Sequence, residues 1–204
     1  MEKLQYISQG STIEEQENNI RKALEHGVKW IQVRWKNAKE NELLQLCKIS
    51  KKLCAENGAT FLVNDHVELA KNIDADGVHL GLNDTSVAEA RQILGSEKII
   101  GGTANTLPDV LQRINENCDY IGLGPLRFTS TKEKLSPVLG FEGYRNIIKE
   151  LKNKSIEIPK LFAIGGVVLE DLPQLQSIGI YGVAVSGIIT KQPEIINQFK
   201  TAMQ

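Results

Sequence analysis

Eight short apolar runs, each followed by a longer amphipathic or polar stretch, fix most of what this chain can become. The runs are residues 4–8, 30–33, 61–63, 77–80, 99–101, 120–123, 161–164 and 182–185. Strands buried on both faces read as continuous apolar runs, and a strict strand–helix alternation demands a parallel sheet. The intervening segments 41–57, 67–73, 87–94, 107–115, 144–151, 169–176 and 193–203 carry helical spacing. The first helix is expected to start at a capping pair, Ser11 with Glu14, to bury Ile20, Ala23 and Leu24, and to stop at Gly27. Eight such units in 204 residues favour a closed (β/α)8 barrel, a TIM barrel, over an open sheet. No shift in composition marks a second domain, so residues 1–204 are read as one unit.

Composition narrows the partners. Net charge is −1, which offers no basic excess for a nucleic-acid surface, and no apolar run approaches a membrane span. The first residues lack the apolar stretch of a signal peptide, so a cytoplasmic location is expected. The three cysteines, Cys47, Cys54 and Cys118, form no Cys-x-x-Cys; Cys47 and Cys54 share a helix face and are expected to be packed thiols.

The polar residues that follow the runs carry the chemistry. In a barrel they all gather at the carboxyl ends of the strands, where barrel enzymes react their substrates. Gln32, Arg34 and Lys36 lie two apart after the second run, a spacing that points one amide and two cations into one cavity. Trp35 between them is expected to pack outward. Asn64 and Asp65 follow the third run, Asp84 the fourth and Thr103 the fifth. Asp65 and Asp84 could each cap the next helix, but two carboxylates opposite an Arg/Lys pair suit Mg²⁺, which takes few carboxylates plus phosphate and water oxygens. The longest loop, 124–140, holds Thr129, Ser130, Thr131 and Lys132, a set of hydroxyls with an ammonium that can grip an anion and could close over substrate. Gly165-Gly166 and Ser186-Gly187 follow the last two runs, where barrels commonly cradle phosphate on backbone N–H groups. Of the histidines, His26 is expected to end a helix, His66 to line the site at most, and His79 to be buried within a strand. A roughly −3 diphosphate, two carboxylates, Mg²⁺ and the cations Arg34, Lys36 and Lys132 sum near zero charge.

In this order and spacing, Gln32–Lys36, Val63-Asn64-Asp65, Ala75–Gly81 with Asp84, Asp119–Pro125, Thr129–Lys132 and Ala163–Gly166 resemble the thiamine-phosphate synthase family, along the chain from Tyr6 to about Ile188. The resemblance implies a transferase of thiamine biosynthesis. It couples 4-amino-2-methyl-5-hydroxymethylpyrimidine diphosphate to a thiazole phosphate and releases diphosphate, the C–O bond breaking first. It further implies that Gln32, Arg34, Lys36, Asn64, Thr103 and Lys132 hold the pyrimidine diphosphate, with Arg34, Lys36 and Lys132 acting in catalysis. Asp65 and Asp84 would bind Mg²⁺. Thr129, Ser130, Thr131, Gly166 and Ser186 or Gly187 would hold the thiazole phosphate. Three positions depart from the family pattern: Thr103 stands where serine is common, Asn105 where histidine is frequent, and the Val185-Ser186-Gly187 stretch is one residue short. Two other readings stand beside this one, a thiazole tautomerase-like isomerase on the same barrel and a non-catalytic sensor of phosphate ligands. The partners expected are small molecules, with a homo-oligomer possible.

Overall fold

The structure is a computed structural model that describes residues 1–128 and 137–203. Eight parallel strands close on themselves in chain order: β1 (Leu4–Ile7), β2 (Trp30–Val33), β3 (Thr60–Asn64), β4 (Gly77–Leu80), β5 (Ile99–Ala104), β6 (Tyr120–Leu123), β7 (Leu161–Ile164) and β8 (Gly182–Val185). Closure is made by β1 pairing with β8, Tyr6 opposite Val185. The expected (β/α)8 barrel is therefore the fold. Between the strands run α1 (Ile13–Glu25), α2 (Glu40–Glu56), α3 (Val67–Asn72), α4 (Val87–Leu94), α5 (Leu107–Asn115), α6 (Gly140–Asn153) and α7 (Leu172–Ile178). After β8 come α8 (Gly187–Lys191) and α9 (Ile196–Ala202).

Strand alternation sorts each run into two cores. Residues such as Tyr6, Ile31, Val33, Val63, Val78, Ile121 and Val183 face outward and join the large apolar layer under the helices. Trp30, Leu62, Tyr120 and Phe162 form a separate cluster. Trp30 and Tyr120 meet edge-on with ring centroids 4.8 Å apart, although β2 and β6 are not neighbours in the sheet. Only a contact across the barrel interior allows this, so these rings plug the barrel below its mouth. Glycine makes room for them: a Cβ on Gly101 would lie 2.2 Å from the Tyr120 ring.

Several boundaries differ from the sequence expectation. Helix α1 is capped by Thr12, whose hydroxyl accepts from Glu15 N at 3.1 Å, while the Glu15 carboxylate accepts from Ser11 N at 2.7 Å. The pair is thus Thr12 and Glu15, one residue later than Ser11 and Glu14. Strand β5 runs on to Ala104, so Thr103 sits inside the strand rather than after it. The segments after β7 and before α9 open with single 3-10 turns, Leu169–Asp171 and Pro193–Ile195. The five-residue α8 was not expected, because Ile188-Ile189-Thr190 is too short for a periodic signal. Cys47 and Cys54 are buried, and burial pushes the three thiols up to about 12, so they are packed thiols of low reactivity. Among the described residues, no helix is long and apolar enough to cross a membrane.

Candidate active site

The carboxyl ends of the strands open into one large cavity of about 2100 Å³. That exceeds the roughly 300–1,000 Å³ of a typical single-ligand pocket and leaves room for two small substrates side by side. Gln32, Arg34, Lys36, Asn64, Asp65, Asp84 and Thr103 all line it, as do Gly165, Gly166, Ser186 and Gly187. The residues Thr129, Ser130, Thr131 and Lys132, and with them positions 129–136 of the expected closing loop, lie outside the described residues.

Each side chain reaches the mouth for a local reason. Gln32 and Asn64 are inward positions of adjacent strands and are both buried; Gln32 Nε2 donates to Asn64 Oδ1 at 2.7 Å. Gln32 Oε1 is buried without a hydrogen-bond partner among the described residues, leaving an acceptor for a ligand N–H. Arg34 and Lys36 do not extend the strand as their spacing suggested, since β2 stops at Val33. They enter the cavity from the loop that follows, where Arg34 N donates to Ser8 Oγ at 3.1 Å. Trp35 is half-buried, packs against the outer core and also borders the cavity.

Asp65 and Asp84 meet because β3 and β4 are paired, Asn64 opposite His79, so the loops after them are neighbours. Neither caps a helix: α3 has His66 at its N-cap position and no side-chain cap, and α4 is capped by Ser86. Asp65 instead sits at φ 64°, in the left-handed region, with its N–H bonded to His79 O at 2.9 Å. Aspartate and asparagine tolerate this conformation better than most residues. Asp84 Oδ2 accepts from Gly81 N at 2.6 Å. The Asp65 carboxyl is pushed up to about 7 by burial and by hydrogen bonding and charge repulsion from Asp84, while Lys36 and Arg34 pull it back. Burial in turn pulls the Arg34 guanidinium below its usual range, opposed by Asp65. Two carboxylates held within hydrogen-bonding reach, with two cations facing them, form a place where a divalent cation removes a standing repulsion. Hard oxygen donors in this number suit Mg²⁺, whose other ligands would come from substrate and water. Among the described residues, no group of three or more His, Cys, Asp or Glu could hold a metal by itself.

Other residues shape the mouth without having been expected from the sequence. Arg113, buried on α5, donates to Thr103 O at 3.1 Å and to Gly81 O at 2.8 Å, stitching the ends of β4 and β5 together. Its signal was an arginine three positions after Val110 on an apolar helix face. Arg127, near the start of the 124–140 loop, binds Asp171 through two hydrogen bonds of 2.5 Å and Gly166 O at 3.0 Å, which braces the Gly165-Gly166 turn. Burial opposes ionisation of Asp171, but Arg127 and the Val168 N–H outweigh it and hold the carboxyl below the ordinary range. Arg127→Ala is expected to cost about 2 kcal/mol at neutral pH, less than a fully buried pair because Arg127 is half-exposed. Since the Asp171 pKa is depressed in the fold, that contribution is present above pH 4 and is lost as pH falls further. Urea titrations at pH 7 and pH 3 check this; an equal difference at both would remove the ion pair from the account.

His26 ends α1 as expected, with Nδ1 2.8 Å from Lys22 O. His66 is exposed and does not border the cavity. His79 is buried as expected, and in addition it borders the cavity.

A closed parallel barrel whose strand ends gather paired carboxylates, two cations and a glycine-rich turn in one mouth has the architecture of the (β/α)8-barrel enzymes. Comparison with known proteins is more specific. The family model described as thiamine monophosphate synthase matches residues 4–189. The thiamine-phosphate synthase of Flavobacterium psychrophilum is 61 % identical over 189 residues, covering 93 % of this chain and 91 % of the relative. That of Flavobacterium johnsoniae is 55 % identical, covering 94 % and 90 %. Among solved structures, thiamine phosphate pyrophosphorylase from Pyrococcus furiosus superposes with a TM-score of 0.79 at 30 % identity, covering 98 % of this chain and 93 % of its own. The chain belongs to the thiamine monophosphate synthase family.

Proposed function

We propose that this protein is a Mg²⁺-dependent thiamine-phosphate synthase. It joins 4-amino-2-methyl-5-hydroxymethylpyrimidine diphosphate to a thiazole phosphate, giving thiamine phosphate and diphosphate. The observation that carries the metal-dependent chemistry is the Asp65–Asp84 pair set against Arg34 and Lys36 in one mouth. The C–O bond of the pyrimidine substrate breaks with its electron pair leaving on diphosphate. The thiazole ring nitrogen then supplies the pair that forms the new C–N bond. Asp65 and Asp84 would hold Mg²⁺, which when bound would supply charge stabilisation to the departing diphosphate. Arg34 and Lys36, with Lys132 by the family resemblance, add positive charge where negative charge develops. Gln32 Oε1 and Asn64 orient the pyrimidine, and Thr103 completes that side of the cavity. No protein nucleophile is required, so catalysis rests on orientation and electrostatics.

The acceptor phosphate is assigned to the opposite side, at Gly166 and the start of α8, with Thr129, Ser130 and Thr131 contributing by resemblance. Gly165 and Gly166 have φ of 88° and 70°, a backbone that exposes successive N–H groups and excludes most side chains. Ser186 immediately precedes α8 and borders the cavity with Gly187. Ser186→Ala is expected to raise the acceptor KM about tenfold with little change in kcat; an unchanged KM would move the contact to the Gly187 backbone.

The function is tested by incubating the protein with both substrates and Mg²⁺ and measuring thiamine phosphate and diphosphate together. Equimolar formation of both supports the reading. Binding without turnover would favour a sensor, and interconversion of thiazole tautomers alone would favour the isomerase.

A further inference from the structure

A chain of hydrogen bonds rises through the barrel interior from β1 to the mouth. Gln5 Nε2 donates to the Tyr120 hydroxyl at 3.1 Å. The Tyr120 oxygen lies 2.8 Å from His79 Nδ1, and His79 Nε2 lies 3.0 Å from Thr103 Oγ1. Gln5, Tyr120 and His79 are all buried, whereas Thr103 is half-buried and borders the cavity. The Tyr120 ring is held edge-on by Trp30 and Phe162, at 4.8 and 5.4 Å, so its hydroxyl has little freedom to change partner. Gly122 leaves the imidazole its space, since a Cβ there would lie 3.1 Å from His79 Cε1.

The donor inventory fixes the first bond of this chain and is compatible with one direction for the rest. An amide nitrogen only donates, so the Tyr120 oxygen accepts from Gln5. A phenol has one proton, and in one of the two neutral tautomers open to His79 it goes to Nδ1. A neutral imidazole that accepts at Nδ1 carries its proton on Nε2, and that proton goes to Thr103 Oγ1. Thr103, having accepted, turns its own proton into the cavity.

We propose that Gln5, Tyr120 and His79 are positioning residues that fix Thr103 as a hydrogen-bond donor to an acceptor atom of the pyrimidine diphosphate. The substrate assignment rests on the function proposed above; the direction of the chain does not. A ligand group that can only donate, such as N–H, meets a donor at this point and is disfavoured, so the chain selects as well as holds. None of these three residues touches the departing diphosphate in this account, so their influence falls on binding of the pyrimidine.

Two measurements test the proposal. Two-bond ¹H–¹⁵N correlation on the ligand-free protein, labelled at histidine and assigned with His79→Gln, reads the tautomer directly. The expected result is a protonated Nε2 and an unprotonated Nδ1; a proton on Nδ1, alone or in an imidazolium, overturns the proposal. This reading needs no substrate and no altered packing. Steady-state kinetics then follow Tyr120→Phe, Thr103→Val and the double variant. Each single change is expected to raise the KM for the pyrimidine diphosphate about tenfold, leave the acceptor KM unchanged, and add nothing when combined. Additive losses, or equal rises in both KM values, overturn the coupling. A correct tautomer with no turnover by the unaltered protein would sink the proposed function and leave the direction of the chain standing.

Discussion

Asp65→Asn is expected to slow turnover about 10³-fold while making the metal-free protein more stable. The two effects share one cause. Asp65 is pushed from 3.8 to about 7 by burial and by Asp84, so the fold favours its protonated form. Between pH 4 and 7 the folded chain binds more protons than the unfolded chain, and stability falls as pH rises through that window. The whole cost is in place above pH 7. Because Asp65 is partly open to solvent, the shift translates into about 2 kcal/mol rather than its full electrostatic equivalent. Asparagine removes the charge, keeps the shape and tolerates the φ of 64°. The variant should therefore melt roughly 5 °C higher without Mg²⁺ at pH 8, an advantage that vanishes near pH 4. In the proposed mechanism the loss of rate follows from removing one of the two carboxylates that would hold Mg²⁺ against the leaving group. A melting curve and a turnover assay on the same preparation check both signs; a rate near that of the unaltered protein would take Asp65 out of the metal site.

Gly101→Ala is expected to be the most damaging single-methyl change in the barrel interior that leaves the backbone ladder unblocked. Its Cβ would fall 2.2 Å from two carbons of the Tyr120 ring. The ring cannot retreat, because Trp30 and Phe162 pack against it and its hydroxyl is bonded to Gln5 and His79. Overpacking of this kind costs about 3 kcal/mol, a fall in Tm of roughly 10 °C for a chain of this size. If the chain folds, the displaced Tyr120 should also weaken binding of the pyrimidine diphosphate. Thermal unfolding measures the first effect and the substrate KM the second. A Tm within 2 °C of the unaltered protein, by the order of magnitude above, would mean that the interior is looser than its ring contacts imply.

The barrel was legible because its signal is redundant. Eight apolar runs and the stretches between them agree on one topology, and an error at one boundary, such as Ser11 for Thr12, leaves the closure intact. The placement of Gln32, Asn64, Asp65, Asp84 and Thr103 at the mouth followed from their positions near strand ends. Arg34 and Lys36 reached it for a different reason than their alternation suggested, since loop geometry after Val33 is not written in a two-residue period. The distant partners of Arg113, Arg127 and Asp171 were not legible, because they lie 32, 39 and 44 residues away and only the closed barrel brings them together. The same holds for Gln5 and Tyr120, which meet across the interior from β1 and β6. A short polar side chain on a strand announces which face it takes, but not which group it will find there.

Calorimetric binding of inorganic diphosphate, with and without Mg²⁺, is the most direct probe of the idea that one divalent ion bridges the paired acids and the leaving anion. The expected outcome is at least tenfold tighter diphosphate binding with Mg²⁺ in the unaltered protein, an enhancement that disappears in Asp84→Asn. Equal diphosphate affinity with and without the ion, or an enhancement that survives loss of Asp84, would contradict it.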